Sequence, residues 1–162
     1  MATGSHSRRL TLAGIFTALC VIGSYIKLGP LSTAFDSAPG FLAALLLGPV
    51  PGAAVCFIGH LTVATLTGFP YGPGFHLLTA LAMAGVGALG GFMARRAGPW
   101  AAGAAMVVAN GVLAPALLSF VPNPLGRGLF AFLLLPLTVA AAANALVAVL
   151  AAKVLKRRGF TA

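Results

Sequence analysis

The sequence predicts an all-α polytopic membrane protein with six transmembrane helices and both termini in the cytoplasm. Three observations predict it. Of 162 residues, 60% are hydrophobic and 7% charged, whereas a soluble domain is about 25% charged. The mean hydropathy is +1.05, so the chain has too little polar surface to cover a globule. Ten Lys and Arg stand against one acidic residue, a net charge of +9, and they are unevenly placed. With both termini inside, Arg8, Arg9, Arg95, Arg96, Lys153, Lys156, Arg157 and Arg158 fall on the cytoplasmic side, and only Lys27 and Arg127 on the other. A soluble enzyme and a disordered segment are excluded. The basic C-terminus reads as a topogenic anchor beside anionic lipid, so no nucleic-acid partner is expected.

The whole chain, residues 1–162, is expected to form one integral membrane domain. The first span covers residues 10–28, and its 19 residues reach about 28 Å, close to the hydrocarbon thickness. It is followed by Ile26-Lys27-Leu28 rather than a small-residue cleavage site, so a retained helix is expected. The N-terminal Gly4-Ser5-His6-Ser7 is given no role. A break at Gly29-Pro30 and a polar loop through Asp36 lead to a second span at 37–47. Gly48-Pro49-Val50-Pro51-Gly52 is a strong turn signal before a third span at 52–66.

Thr67 to Phe75, rich in Gly, Pro and aromatics, reads as a loop, and further spans cover 76–94, 100–120 and 129–155. The 30 residues from Ser37 to Leu66 are short for two full crossings, so a short crossing and a re-entrant hairpin both remain open. Short, Gly/Pro-interrupted membrane segments often line binding sites, because their freed backbone groups need partners.

Polar groups in hydrocarbon mark function more than apolar ones do, since each must be paired. Asp36, His76 and Arg127 fall at the outer ends of spans, His60 in the outer half of the third, and Asn110 and Asn144 near the middle of the fifth and sixth. Phe69, Tyr71 and Phe75 crowd the outer loop. Each has a bland reading. His60 can bond a carbonyl, the asparagines can join helices, Tyr71 can sit in the interfacial belt, Asp36 can cap the second helix, and Arg127 can anchor the outer face.

Their convergence on one side points instead to a pocket open to the outside, suited to a neutral or weakly polar ring compound. The expected ligand-binding set is His60, His76, Asn110 and Tyr71, with Asp36 and Asn144. No metal site, cofactor or catalytic residue is expected. The histidines lack metal-ligand spacing, and nothing fixes a Ser37-His60-Asp36 geometry. Cys20 and Cys56, inside apolar runs, read as packing residues. On the first span, Gly14 and Ala18 form a small-xxx-small pair, which either packs in the bundle or faces a second protein.

Several stretches together resemble the substrate-binding S components of energy-coupling-factor (ECF) vitamin transporters. They are Arg9-Leu10-x-x-x-Gly14-Ile15-Phe16-x-Ala18-Leu19, Asp36-Ser37-x-Pro39-Gly40-Phe41 and Leu47-Gly48-Pro49-x-x-Gly52-Ala53. Gly59-His60-Leu61, Gly68-Phe69-Pro70-x-Gly72 and His76-Leu77-Leu78-x-Ala80-x-x-Met83-Ala84 continue the likeness across the first half of the chain. Within the family the chain looks most like S components for cobalamin building blocks, notably α-ribazole.

The resemblance implies six helices, capture of a vitamin or precursor from outside, and location in the plasma membrane. It also implies transport with a membrane T subunit and two cytoplasmic ATPase subunits, the S component itself being no enzyme. Family members present an Ala-x-x-x-Ala pattern to the T subunit, and Gly14 and Ala18 stand at the matching positions. The absence of an ATP-binding motif in this chain fits a motor supplied by partners. The alternative is a small stand-alone secondary transporter or channel for a polar ring compound. A third reading, a purely structural membrane subunit, leaves the outer polar cluster unexplained.

Overall fold

A computed structural model describes residues 3–27 and 34–160. Helix α1 spans Thr3–Ser24, starting before the expected Leu10 because the polar residues ahead of it continue the same helix. It ends at Ser24, whose hydroxyl donates to the Val21 carbonyl at 2.7 Å. The expected end at Leu28 and the Gly29-Pro30 break lie outside the described residues. The described ends of that connection meet in one antiparallel bridge, Lys27 to Ala34. Beyond it run α2, Ala38–Leu47, and α3, Pro49–Leu66. Helix α4, Pro73–Val108, continues through a π turn at Ala109–Leu113 into α5, Ala114–Leu118, and α6 spans Gly128–Arg157.

One local device starts three helical segments. Gly48, Gly72 and Gly98 have φ of 100°, 85° and 84°, and each is followed by a proline. Only glycine adopts that backbone without strain, and proline suits the first helical position because its missing N–H needs no partner there. At Gly48 the device joins α2 to α3 in a single residue. At Gly98 it breaks α4 internally. A straight helix from Pro73 to Leu118 has 46 residues and would run about 69 Å, more than twice the hydrocarbon thickness. It folds back instead, bringing Met106 against Gly90.

Two sequence expectations are corrected here, and one left open is narrowed. The anticipated break through Arg95 and Arg96 is helical up to Gly98, because nothing before that glycine interrupts the helix. The outer loop closes at Gly72 rather than Phe75, since Pro73 already opens α4. The strained second span is the ten-residue α2, about 15 Å long and half a bilayer core.

By length and composition, Pro49–Leu66, Pro73–Leu118 and Gly128–Arg157 are each able to cross a membrane. The short α2 lies inside the bundle, with Phe41 and Ala43 fully buried. Small residues let it in. A Cβ on Gly52 would stand 2.6 Å from the Ala44 Cα, and one on Gly40 would stand 2.7 Å from the Cys56 sulfur. Close backbone approach of this kind is how helices associate where lipid offers no hydrophobic drive. The main core joins α2, α3, both limbs of α4 and α6 through Phe41, Cys56, Val86, Met106 and Val149. One end of the bundle gathers Arg9, Gly48, Arg95 and Lys156 around a recess. The other gathers Phe75, Leu118 and Leu129 under Tyr71.

Candidate ligand site

Near the aromatic end lies an internal cavity of about 140 Å³, bounded by Asp36 and Ser37 before α2, His60 on α3, Thr79 on α4, Asn110 on the π turn and Asn144 on α6. Residues far apart in sequence meet here because α2 is short, so the segment preceding it drops into the bundle. Asn144 holds that segment in place. Its Oδ1 accepts from the Ala38 N–H at 2.6 Å, and its Nδ2 donates to the carbonyls of Ala34 at 2.9 Å and Ala140 at 2.8 Å. The amide thus supplies the N-terminal cap that Ser37, at the N-cap position, does not. Asp36 is no cap either: its Oδ1 accepts from the Ser37 hydroxyl at 3.3 Å.

Asn110 is the counterpart. It is buried, lines the cavity, and its amide makes no hydrogen bond among the described residues. The π turn presents it. Pro115 has no N–H to offer the Gly111 carbonyl, so the helix widens and the Ala114 N–H pairs with the Ala109 carbonyl. The Thr138 hydroxyl on α6 then donates to the Gly111 carbonyl at 3.1 Å. Sequence reasoning missed Thr138 and Thr79; the available signal was Pro115 inside an apolar run.

His60 joins the cavity to a second group of residues. Its Nε2 lies 3.2 Å from His76 Nδ1, and the rings stack with centroids 5.4 Å apart. One ring must donate and the other accept, and in either tautomer the outer nitrogens of the pair keep one donor and one acceptor. His76 Nε2 is buried without a partner among the described residues. Around His76 stand Phe69 at 5.8 Å, Phe75 at 6.0 Å edge-on and Tyr71 at 6.3 Å. Phe69 has φ of 50°, a conformation costing a non-glycine residue on the order of 1 kcal/mol. It is held there by its N–H bond to the Ala64 carbonyl at 2.9 Å.

The structure therefore brings Asp36, His60, Asn110 and Asn144 to one cavity and places His76 and Tyr71 beside it, linked through His60. Ser37 bonds Asp36 while His60 pairs with His76, so the Ser37-His60-Asp36 set has no serine–histidine bond. Burial pushes the Asp36 carboxyl up from 3.8 to about 6, against the opposing pull of the Ser37 hydroxyl and the Lys27 charge.

Cys20 and Cys56 are buried, each sulfur facing a glycine of a neighbouring helix, Gly59 and Gly40 respectively. Arg127 lies over the Phe120 ring at 5.5 Å. Gly14 and Ala18 do not line the cavity and are exposed on α1. A Cβ on Gly14 would meet nothing within 4 Å.

Residues 8–156 match the family described as "ECF transporter, substrate-specific component". No curated protein and no solved structure shows a significant match.

Proposed function

The chain belongs to the substrate-specific components of ECF transporters, and from that premise we propose that it captures a neutral, ring-containing vitamin precursor, α-ribazole or a close relative, from the outer side. Members of this family are integral plasma-membrane proteins of a transport system that also includes a T subunit and ATPase subunits. The family is not an enzyme family. In our reading the helical segments make six crossings with both termini cytoplasmic, so the aromatic end faces out and the basic end faces in. Two ATPases and the T subunit power the system, with Gly14 and Ala18 on the face that meets the T subunit.

The observation that carries the substrate class is the pairing of unsatisfied polar atoms with aromatic surface. Asn110 and the outer nitrogens of the His60–His76 pair offer donors and acceptors without charge, and Phe69, Tyr71 and Phe75 offer stacking faces. Among the described residues no Lys or Arg lines the cavity, and Asp36 is the one acidic side chain of the chain. Such a lining disfavours carboxylates and phosphates and suits a nucleoside-like base and sugar. A cavity of about 140 Å³ is smaller than the roughly 300–1,000 Å³ of pockets that enclose drug-sized ligands. Admission of a nucleoside therefore requires the segment clamped by Asn144, or the loop at 67–72, to move outward.

Mass spectrometry of the ligand that copurifies with the full chain, followed by titration with α-ribazole and with its 5′-phosphate, tests this. Binding of the neutral compound in preference to the phosphate is expected. Preference for an anionic vitamin would overturn the assignment.

A further inference from the structure

We propose that His76 is a positioning residue for His60: it fixes the tautomer of that ring, so that His60 turns a bare acceptor nitrogen to the cavity and the site selects a ligand with a hydroxyl or N–H at that point. The ligand's identity rests on the reading above; the tautomer does not. His60 lines the cavity from α3, and its Nε2 is taken up by His76 Nδ1 at 3.2 Å. Nδ1 is therefore the ring nitrogen that His60 has left for a ligand. Which nitrogen of an imidazole carries the proton is set by the bond the other one makes, and here that bond leads to His76.

Two polarities close a neutral pair. In the first, His60 Nε2–H donates to His76 Nδ1, the proton of His76 sits on its Nε2, and His60 Nδ1 is bare. In the second, His76 Nδ1–H donates to His60 Nε2, His76 Nε2 is bare, and the proton of His60 sits on its Nδ1. The surroundings of His76 select the first. Its Nε2 is buried with no polar partner among the described residues, and Phe69, Phe75 and Tyr71 stand around the ring with centres 5.8, 6.0 and 6.3 Å away. Aromatic faces are negative, so they attract an N–H and repel a lone pair. The orphaned atom is thus tolerated as a donor. The first polarity also puts both rings in the Nε2–H form, the more stable form of a free imidazole side chain, whereas the second puts both in the Nδ1–H form.

The rest of the cavity agrees with a ligand that donates. Asp36 lines it as well, and an ionised carboxylate only accepts. Two acceptors then stand beside one amide, Asn110, that can play either part. The base of α-ribazole has a ring nitrogen that only accepts, while its ribose hydroxyls donate. The ribose is therefore assigned to His60 and Asp36, and the base nitrogen to the Asn110 amide.

Nitrogen NMR of the ligand-free full chain, labelled with 15N-histidine in detergent at neutral pH, reads the protons directly. His6→Ala removes the third histidine of the sequence and leaves the signals of the pair. Both rings are expected as Nε2–H, with both Nδ1 atoms bare. A proton on His60 Nδ1 would overturn the proposal whatever the substrate is. His76→Phe keeps a ring of similar size but removes the acceptor, so His60 should then show both tautomers in exchange. An unchanged His60 in that variant would take the tautomer out of the control of His76 and overturn its role.

Titration with α-ribazole and with analogues lacking one ribose hydroxyl at a time reads the consequence. One of these deletions should cost about 5- to 150-fold in affinity, one lost buried bond, and that loss should disappear in His60→Ala. Equal affinity for every analogue in the unsubstituted chain would overturn the selection of a donor, even where His76→Phe fails to fold. A penalty that persists in His60→Ala would place the hydroxyl on another acceptor and overturn the assignment to His60. No binding of α-ribazole at all, with both rings found as Nε2–H, would overturn the substrate reading and leave the tautomer supported.

Discussion

Helices α1 and α2 stand at opposite extremes of this molecule. Helix α2 has ten residues, seven of them buried, and packs against α1, α3, α4 and α6. Helix α1 has 22 residues, and among the described residues it packs against α2 and α3 alone. Leu10, Ile15 and Ile22 on α1 are exposed. The shorter helix is the more deeply embedded. Hydrophobicity decides what enters a bilayer, but small residues and satisfied helix ends decide what enters the centre of a bundle. Helix α2 meets both conditions through Gly40, Gly52 and the Asn144 clamp. Helix α1 meets neither at its centre, and so leaves a face open for lipid or a partner.

The comparison breaks most sharply at the glycines. Gly52→Val would set side-chain atoms against the Ala44 backbone of α2, which cannot step aside, and is expected to destabilise the chain by ~3 kcal/mol. Gly14→Val on α1 should change stability by less than about 0.5 kcal/mol. Thermal unfolding of the two variants in the same detergent measures both, and equal losses would remove the distinction between the helices.

Next in size is the clamp. Asn144→Ala leaves the Ala38 N–H and the Ala34 carbonyl without their side-chain partner, which is expected to cost about 1–3 kcal/mol. Protection of the Ala38 amide in hydrogen exchange should fall with it. Unchanged protection would show that α2 holds its position through packing alone.

Asn110 sharpens the same point from the other side. Asn110→Ala breaks no hydrogen bond within the described residues, so stability should hold. Ligand affinity should drop about 5- to 150-fold, the equivalent of one lost buried bond. His60→Ala should weaken binding over the same range. Titration with α-ribazole reads the affinity. Loss of stability without loss of affinity would make Asn110 a joint between helices rather than a ligand contact.

A smaller effect is expected from pH. The Asp36 carboxyl titrates near 6, above its ordinary 3.8, so the folded chain takes up a proton before the unfolded chain does. Stability should therefore rise as pH falls from 7 through 6. Affinity for a ligand that donates to the carboxylate should fall over the same interval. Asp36→Asn should flatten both profiles, and a stability profile unchanged by that substitution would assign the titration elsewhere. Least disturbing to the chain itself are Gly14→Leu and Ala18→Leu. Both should leave ligand binding intact while reducing copurification with the T subunit. Lost ligand binding with retained copurification would place the partner on another face.

Much of this molecule was legible before any coordinates. Composition and hydropathy announced an all-helical membrane chain, and the apolar runs marked where helices lie. Gly48-Pro49 marked a turn correctly, and the same dipeptide at Gly72-Pro73 and Gly98-Pro99 carried the two boundaries that were misplaced. Asp36, His60, Asn110 and Asn144 stand out in the sequence as polar residues in or beside apolar runs, and the structure brings all four to one cavity.

The division of labour between two chemically identical asparagines was not legible. Asn110 and Asn144 both sit mid-span in sequence. Which amide is consumed depends on a segment more than 100 residues away, since Asn144 reaches Ala34 and Ala38. The His60–His76 contact likewise needs α3 and α4 side by side. Hydropathy and glycine–proline dipeptides act through the chain's own backbone and solvent, so the sequence by itself determined the helices and their reversals. Hydrogen bonds across the bundle depend on which backbones approach closely enough to leave no room for a side chain, and that only the tertiary structure decided.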